Sequence, residues 1–199
     1  MENKMRKYIC IGILVLMLAS IAGCSEETAA ISQNSITVAK DQSLSVTLVE
    51  EFQESYYDET ELINMVNSEV TAYNTAAGKD CITVGDHLLE NGQMHLTLEF
   101  VACTDFCSYM PEDLFVGTVQ EAYDKGYDFN RSLESVGSNG ATIGKNDLLS
   151  MGNSKIVVLT GAMVVRCPSK ITYYSQGMEL LDSNTVRATT EGCYFIIYK

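Results

Sequence analysis

The chain has 199 residues, a formal net charge of −13 and 46% hydrophobic residues. No cluster of lysine and arginine follows the first seven residues, which excludes nucleic-acid binding by phosphate neutralisation. It also excludes adhesion to anionic lipid by charge alone. The length suits one domain with a real core and is short for a two-lobed solute-binding protein.

The N-terminus has three parts in order. Lys4, Arg6 and Lys7 make a positive start, and Ile9 to Leu18 form an unbroken apolar run. That run, continued by Ala19-Ser20-Ile21, is about two-thirds of the roughly 20 residues a permanent spanning helix needs. It reads as a signal-peptide core. It ends in Ile21-Ala22-Gly23-Cys24, which resembles the bacterial lipobox: an aliphatic residue, two small residues and a cysteine. The resemblance implies that residues 1–23 are removed and that the Cys24 thiol carries the lipid. Two or three acyl chains on one residue hold far more firmly than the single chain that binds marginally. Residues 24–33 then form a lipidated cysteine and a polar tether, with an extended reach of roughly 30 Å. Removing a segment with three basic residues and one acidic residue takes the net charge from −13 to −15.

Residues 34–199 are expected to fold as a single extracytoplasmic domain. Ser35–Val38 and Leu44–Val49 are β-rich runs around Lys40-Asp41-Gln42, a hairpin pattern. Asp58 to Ala77 reads as the long helix. Asp58 and Glu61 have capping-box spacing, Leu62, Val66, Val70, Tyr73 and Ala77 recur on one face, Ile63 and Met65 widen it, and Gly78 ends it. Ile82–Leu89 and Met94–Ala102 form a second hairpin with two possible registers. A two-residue Asn91-Gly92 turn opposes Ile82 to Val101 and Leu88 to His95. A three-residue loop from Glu90 opposes Ile82 to Phe100, Val84 to Leu98 and Leu88 to Met94. Burial favours the second, in which His87 faces His95.

Thr118-Val119-Gln120-Glu121 is another capping box, opening a short helix stopped at Gly126. Ser135 to Gly140 is rich in turn residues, and Asn146–Met151 is expected to make one or two helical turns. From Lys155 onward strands dominate: Ile156–Thr160, Ala162–Arg166, Ile171–Tyr174, Thr185–Ala188 and Tyr194–Tyr198. Hairpins interrupted by an early helix, without βαβ alternation, predict α+β. The expected architecture is a mainly antiparallel sheet carrying one long and one or two short helices.

Chemistry-bearing residues are few. The five cysteines after Cys24 are Cys81, Cys103, Cys107, Cys167 and Cys193, an odd number without zinc-knuckle spacing. They read as small, mostly buried thiols, with a Cys167–Cys193 disulfide as the alternative. His87 and His95 are the only histidines. Placed face to face beside Glu99 and Gln93, they offer a zinc site, and with Cys81 a thiol nucleophile and its base. Asp124, Asp128, Asn130 and Glu134 supply oxygen ligands, but their spacing misses the EF-hand pattern. There is no P-loop, no dinucleotide fingerprint and no serine-hydrolase elbow, so no cofactor is implied. Tyr56-Tyr57, Tyr173-Tyr174 and Tyr109 could build an aromatic contact surface or anchor the edges of elements.

Four stretches carry a resemblance: Val49-Glu50-Glu51-Phe52, Tyr56 to Leu62, Leu114 to Val119, and the closing Tyr194 to Lys199. On these the chain resembles a group of uncharacterised lipoproteins from anaerobic, clostridial-type Gram-positive bacteria. The resemblance covers most of the domain. It implies a lipid-anchored protein on the outer side of the cell membrane and assigns no site residue beyond Cys24. Five cysteines are more than it leads one to expect. The expected role is a non-enzymatic domain that binds a protein or envelope ligand. A small zinc- or thiol-dependent hydrolase using His87, His95 and Cys81 is the alternative.

Overall fold

Alternation of apolar and polar residues shapes the first hairpin. The structure, a computed structural model, describes residues 33–138 and 140–199; Cys24 and the signal segment 1–23 lie outside the described residues, as does nearly all of the tether. Strand β1 (Ser35–Val38) buries Ile36 and Val38 and exposes Thr37. It pairs antiparallel with β2 (Leu44–Glu51). Between them Gln42 adopts a left-handed conformation with φ 71°, and Asp41 Oδ1 accepts from the Ser43 backbone N–H at 3.1 Å. The expected hairpin is present.

Helix α1 (Glu59–Ala77) follows the predicted helix closely. The Asp58 side chain accepts from the Glu61 N–H at 2.9 Å, and Gly78 closes the helix in the left-handed region at φ 69°. There the Gly78 N–H reaches the Thr75 carbonyl and the Lys79 N–H reaches that of Asn74, the pattern that satisfies orphan carbonyls at a helix end. The buried stripe is narrower than expected. Val66 and Val70 are buried, Leu62, Ile63 and Tyr73 pack partly against the core, and Met65 and Ala77 are exposed. Asn74 ties the helix to the strand that follows. Its Oδ1 accepts from the Cys81 and Ile82 N–H groups at 2.9 and 3.0 Å, and its Nδ2 donates to the Ile82 carbonyl at 2.8 Å.

The second hairpin, β3 (Ile82–Glu90) and β4 (Gln93–Phe100), uses both registers considered from the sequence. Far from the turn, Ile82 faces Phe100 and Val84 faces Leu98, as burial requires. Near the turn, His87 faces Leu96, Leu88 faces His95 and Leu89 faces Met94. A bulge between Val84 and His87 absorbs the difference. The physical reason is a conflict of local rules. Asn91 (φ 53°) and Gly92 (φ 76°) are both left-handed, the signature of a two-residue turn. The turn therefore sets one register at its end, apolar burial sets the other at the far end, and Gly85-Asp86 take up the extra residue. The single register expected from the three-residue loop is corrected accordingly.

The remaining elements complete two sheets. Helix α2 (Cys103–Tyr109) and strand β5 (Leu114–Thr118) follow β4, and neither was anticipated. Helix α3 (Val119–Asp124) opens with the predicted capping box, with Thr118 and Glu121 bonding reciprocally. Then come β6 (Leu133–Ser135), β7 (Thr142–Ile143), α4 (Lys145–Ser150), β8 (Lys155–Thr160), β9 (Val164–Arg166), β10 (Ile171–Ser175), β11 (Met178–Leu180), β12 (Thr185–Ala188) and β13 (Cys193–Tyr198). The expected strands of the C-terminal half are all present; β6, β7 and β11 are additional. A seven-stranded sheet runs β11-β12-β9-β1-β2-β4-β3 and a six-stranded sheet runs β5-β8-β13-β10-β6-β7. Pairing is antiparallel except between β1 and β9. The α+β, mainly antiparallel architecture is as read from the sequence, with two sheets in place of one and three short helices beside the long one among the described residues.

The layers follow from which faces are buried. One core unites Val46, Leu98 and Val165 of the larger sheet with Val157, Leu159 and Ile196 of the smaller, and takes in Val66 and Val70 of α1 and Phe106 of α2. A second core, on the other face of the smaller sheet, joins Ile156, Val158 and Phe195 to Val119 and Ala122 of α3, Leu148 of α4 and Phe129. The smaller sheet is thus buried on both faces. The other face of the larger sheet carries Thr37, Ser45, Thr47, Thr97 and Glu99, none of them buried. Among the described residues no helix is long and apolar enough to cross a membrane.

Candidate functional site

The hairpin bulge decides the fate of the histidine pair. His87 faces Leu96, whereas His95 faces Leu88 on one side and Val49 on the other. Adjacent residues of a strand point to opposite faces, so His87 and His95 lie on opposite faces of the sheet. His87 Nε2 sits 3.5 Å from Glu59 Oε1 at the start of α1. The expected face-to-face pair is therefore not formed. Among the described residues no group of three histidine, cysteine or carboxylate side chains converges on a point where a metal could sit. In the Asp124–Glu134 segment, Asp124 Oδ1 accepts from Gln120 Nε2 at 2.9 Å and Asp128 Oδ1 from the Asn130 N–H at 2.8 Å. The first is a pair one turn apart on helix α3 and the second closes a local turn.

Cys81 is not placed as a nucleophile. Its side chain is fully buried, and burial, followed by the neighbouring Asp105, pushes its thiol above the ordinary cysteine range. That favours the unreactive thiol over the thiolate. The neighbourhood is a structural polar cluster. Asp105 is buried, its Oδ2 lies 3.8 Å from Lys79 Nζ, and Tyr73 Oη reaches its Oδ1 at 3.4 Å. All five cysteines in the described part are free, including Cys167 and Cys193. Cys107 Sγ lies 3.0 Å from the Leu114 carbonyl, joining α2 to β5. Burial lifts the Cys167 thiol to about 12. Two shallow depressions, of about 410 and 360 Å³, lie beside Lys79 and beside Lys170, and neither is lined by a histidine or a cysteine.

The tyrosines sort cleanly. Tyr173 and Tyr174 are half-buried and pack against the two cores. Tyr109 is half-buried beside Tyr73 and Phe100, with ring centroids 5.7 and 6.1 Å away. Tyr56 and Tyr57 stand apart, at 74% and 45% exposure. Tyr57 stacks on Phe52 at 4.9 Å, and Tyr56 meets Tyr57 edge-on at 4.9 Å.

The chain is led into this corner by backbone contacts. The Phe52 N–H donates to the Gly92 carbonyl at 2.7 Å, extending the β2 ladder to the hairpin turn. The Gln53 side chain lies over Gly92, whose left-handed backbone at φ 76° favours glycine. Seven residues after Phe52, Glu59 meets His87. The segment 52–58 therefore runs alongside the last residues of β3, from the turn to His87. Leu89 shares the face of His87 by alternation and is 41% exposed. In the same cross-strand row stand Met94 and Glu50. Phe52, Tyr56 and Tyr57 make an aromatic corner at the edge of the larger sheet, half-buried at Phe52 and exposed at both tyrosines, with Leu89 and Glu50 on the cross-strand row at the hairpin end. Of these, only the tyrosines stood out as contact candidates in the sequence. Phe52, Leu89 and Glu50 join them through the turn geometry.

Burial, and then the neighbouring Glu51, raises the Glu50 carboxyl above its usual range. Among the described residues the ion pairs are Lys79 with Asp105, His87 with Glu59 and Arg187 with Glu179, and none reaches Glu50. Comparison with family models, with curated proteins and with solved structures finds nothing that matches this chain.

Proposed function

We propose that this chain is an exported lipoprotein, held by lipid on Cys24 to the outer face of the cell membrane, whose domain works by binding and not by catalysis. The anchor reading rests on residues 4–24: the positive start, the short apolar run and the four-residue box. We place the chain with the uncharacterised lipoproteins of anaerobic Gram-positive bacteria on the stretches quoted above. The binding reading rests on one observation, the aromatic cluster of Phe52, Tyr56 and Tyr57, in which both tyrosines are exposed. Aromatic side chains with both an apolar ring and a polar tip are the commonest anchors of protein interfaces.

A photo-crosslinking amino acid placed at Tyr56 in cells tests the binding reading. A discrete adduct is expected from position 56 and not from Asn146, an exposed position of α4. Identical patterns from the two positions overturn it. Intact-mass measurement of the natively produced protein tests the anchor: loss of residues 1–23 and addition of acyl mass are expected, and an unprocessed, unacylated chain overturns it.

A further inference from the structure

The charge of this molecule is unevenly placed along the chain. Between Lys40 and Lys125 there are seventeen carboxylates and one basic residue, Lys79. From Lys125 to the end there are eight basic residues and six carboxylates. The aromatic corner lies wholly within the acidic half. Around it stand Glu50, Glu51, Glu54, Asp58, Glu59 and Glu90, of which Asp58 is engaged in capping α1 and Glu59 meets His87. Lys79 is at the opposite end of α1, where it faces Asp105. Among the described residues no lysine or arginine forms an ion pair with any of these carboxylates.

Two physical consequences converge. A half-buried carboxylate without a cation is held at a cost that a bound positive charge would relieve, and Glu50 is such a group. Tyrosine rings attract a cation laid on their face, and the attraction grows where water is excluded. We infer that this corner receives a cationic peptide segment, whose arginine or lysine side chains lie across Tyr56 and Tyr57 and pair with Glu50. The inference rests on the binding reading above and names the chemistry of its partner. The surrounding carboxylates steer the segment in from a distance, and the aromatic anchors give it a fixed place.

Diffuse attraction between any polycation and an acidic protein must be separated from this site. The test uses the full chain in neutral detergent micelles. The probes are a fluorescent octapeptide alternating arginine and glycine, and its counterpart with glutamine for arginine. The arginine peptide is expected to bind about tenfold or more tightly than the glutamine one, with affinity falling as salt is raised. Tyr56→Ala/Tyr57→Ala should weaken it by about tenfold, the loss typical of aromatic anchors. Glu50→Gln should weaken it several-fold more than Asp80→Asn, which removes the same charge from an exposed position beyond the far end of α1. Thermal melts of each variant establish that it is folded. Equal binding of the two peptides overturns the inference, as does an arginine peptide indifferent to the tyrosines and equally sensitive to Glu50→Gln and Asp80→Asn. If either occurs while the crosslink at position 56 persists, the surface still binds and only the cationic partner is wrong. Loss of the crosslink removes the surface itself.

Discussion

The two sheets share a core yet live in different surroundings. In the smaller sheet, the central strands β8 and β13 are buried almost without interruption, since sheet packs on one face and helices α3 and α4 on the other. In the larger sheet, β4 alternates buried and unburied residues, and one face carries hydroxyls and carboxylates. A strand wrapped on both faces can be apolar throughout, whereas a strand wrapped on one face must alternate. The lesson is a division of labour. The smaller sheet holds the molecule together, and the larger sheet, with its long edge strand β3, presents the aromatic corner.

Three measurements would break or sharpen this division. The largest effect is expected from Phe195→Ala in β13. Phe195 is fully buried, with Phe129 at 5.1 Å and the Arg131 guanidinium over its ring at 4.2 Å. Its loss should cost about 3–5 kcal/mol, against under about 1 kcal/mol for Thr37→Ala on the open face. Urea unfolding midpoints measure both, and equal losses would end the distinction between the sheets. Next is Asn74→Ala, which strands the Cys81 and Ile82 N–H groups and should cost about 1–3 kcal/mol. Hydrogen exchange should show those two amides released first, which would locate the tie that holds α1 to the edge of the larger sheet.

The smallest effect is expected from Glu50→Gln, and it depends on pH. The folded state raises the Glu50 carboxyl, chiefly by burial and then through Glu51. Folding therefore favours the protonated form, and stability is lost as pH rises through the raised value. At neutral pH the glutamine variant should be the more stable. The advantage should vanish once pH falls below the ordinary carboxylate range. A variant with the same advantage at every pH would show that the carboxylate carries no burial penalty.

Much of this arrangement could be read from local residue patterns. Asp58, Gly78 and the Thr118–Glu121 box bracket their helices as capping chemistry demands, because each rests on contacts within a few residues. Alternation and β-branched runs locate β1, β2, β8 and β13 for the same reason. Helix α2 and strand β5 escaped notice because they are short and their support is distant: Phe106 packs on Phe100 at 5.5 Å, and β5 is held by β8. The uneven charge along the chain marks a surface only once the 52–58 segment is laid beside β3.

What the sequence determined alone is whatever one turn of chain can decide: the limits of α1 and α3, and the segments that become β1, β2, β8 and β13. What only the tertiary structure decided is where distant side chains meet. The hairpin is the clearest case. Turn geometry and core burial each demanded a register, both were legible, and neither could prevail everywhere. A bulge at Gly85-Asp86 reconciled them, set His87 and His95 on opposite faces, and put Leu89 on the face of His87. A single extra residue in a strand reverses every side chain beyond it, and its position is chosen by packing against the whole fold.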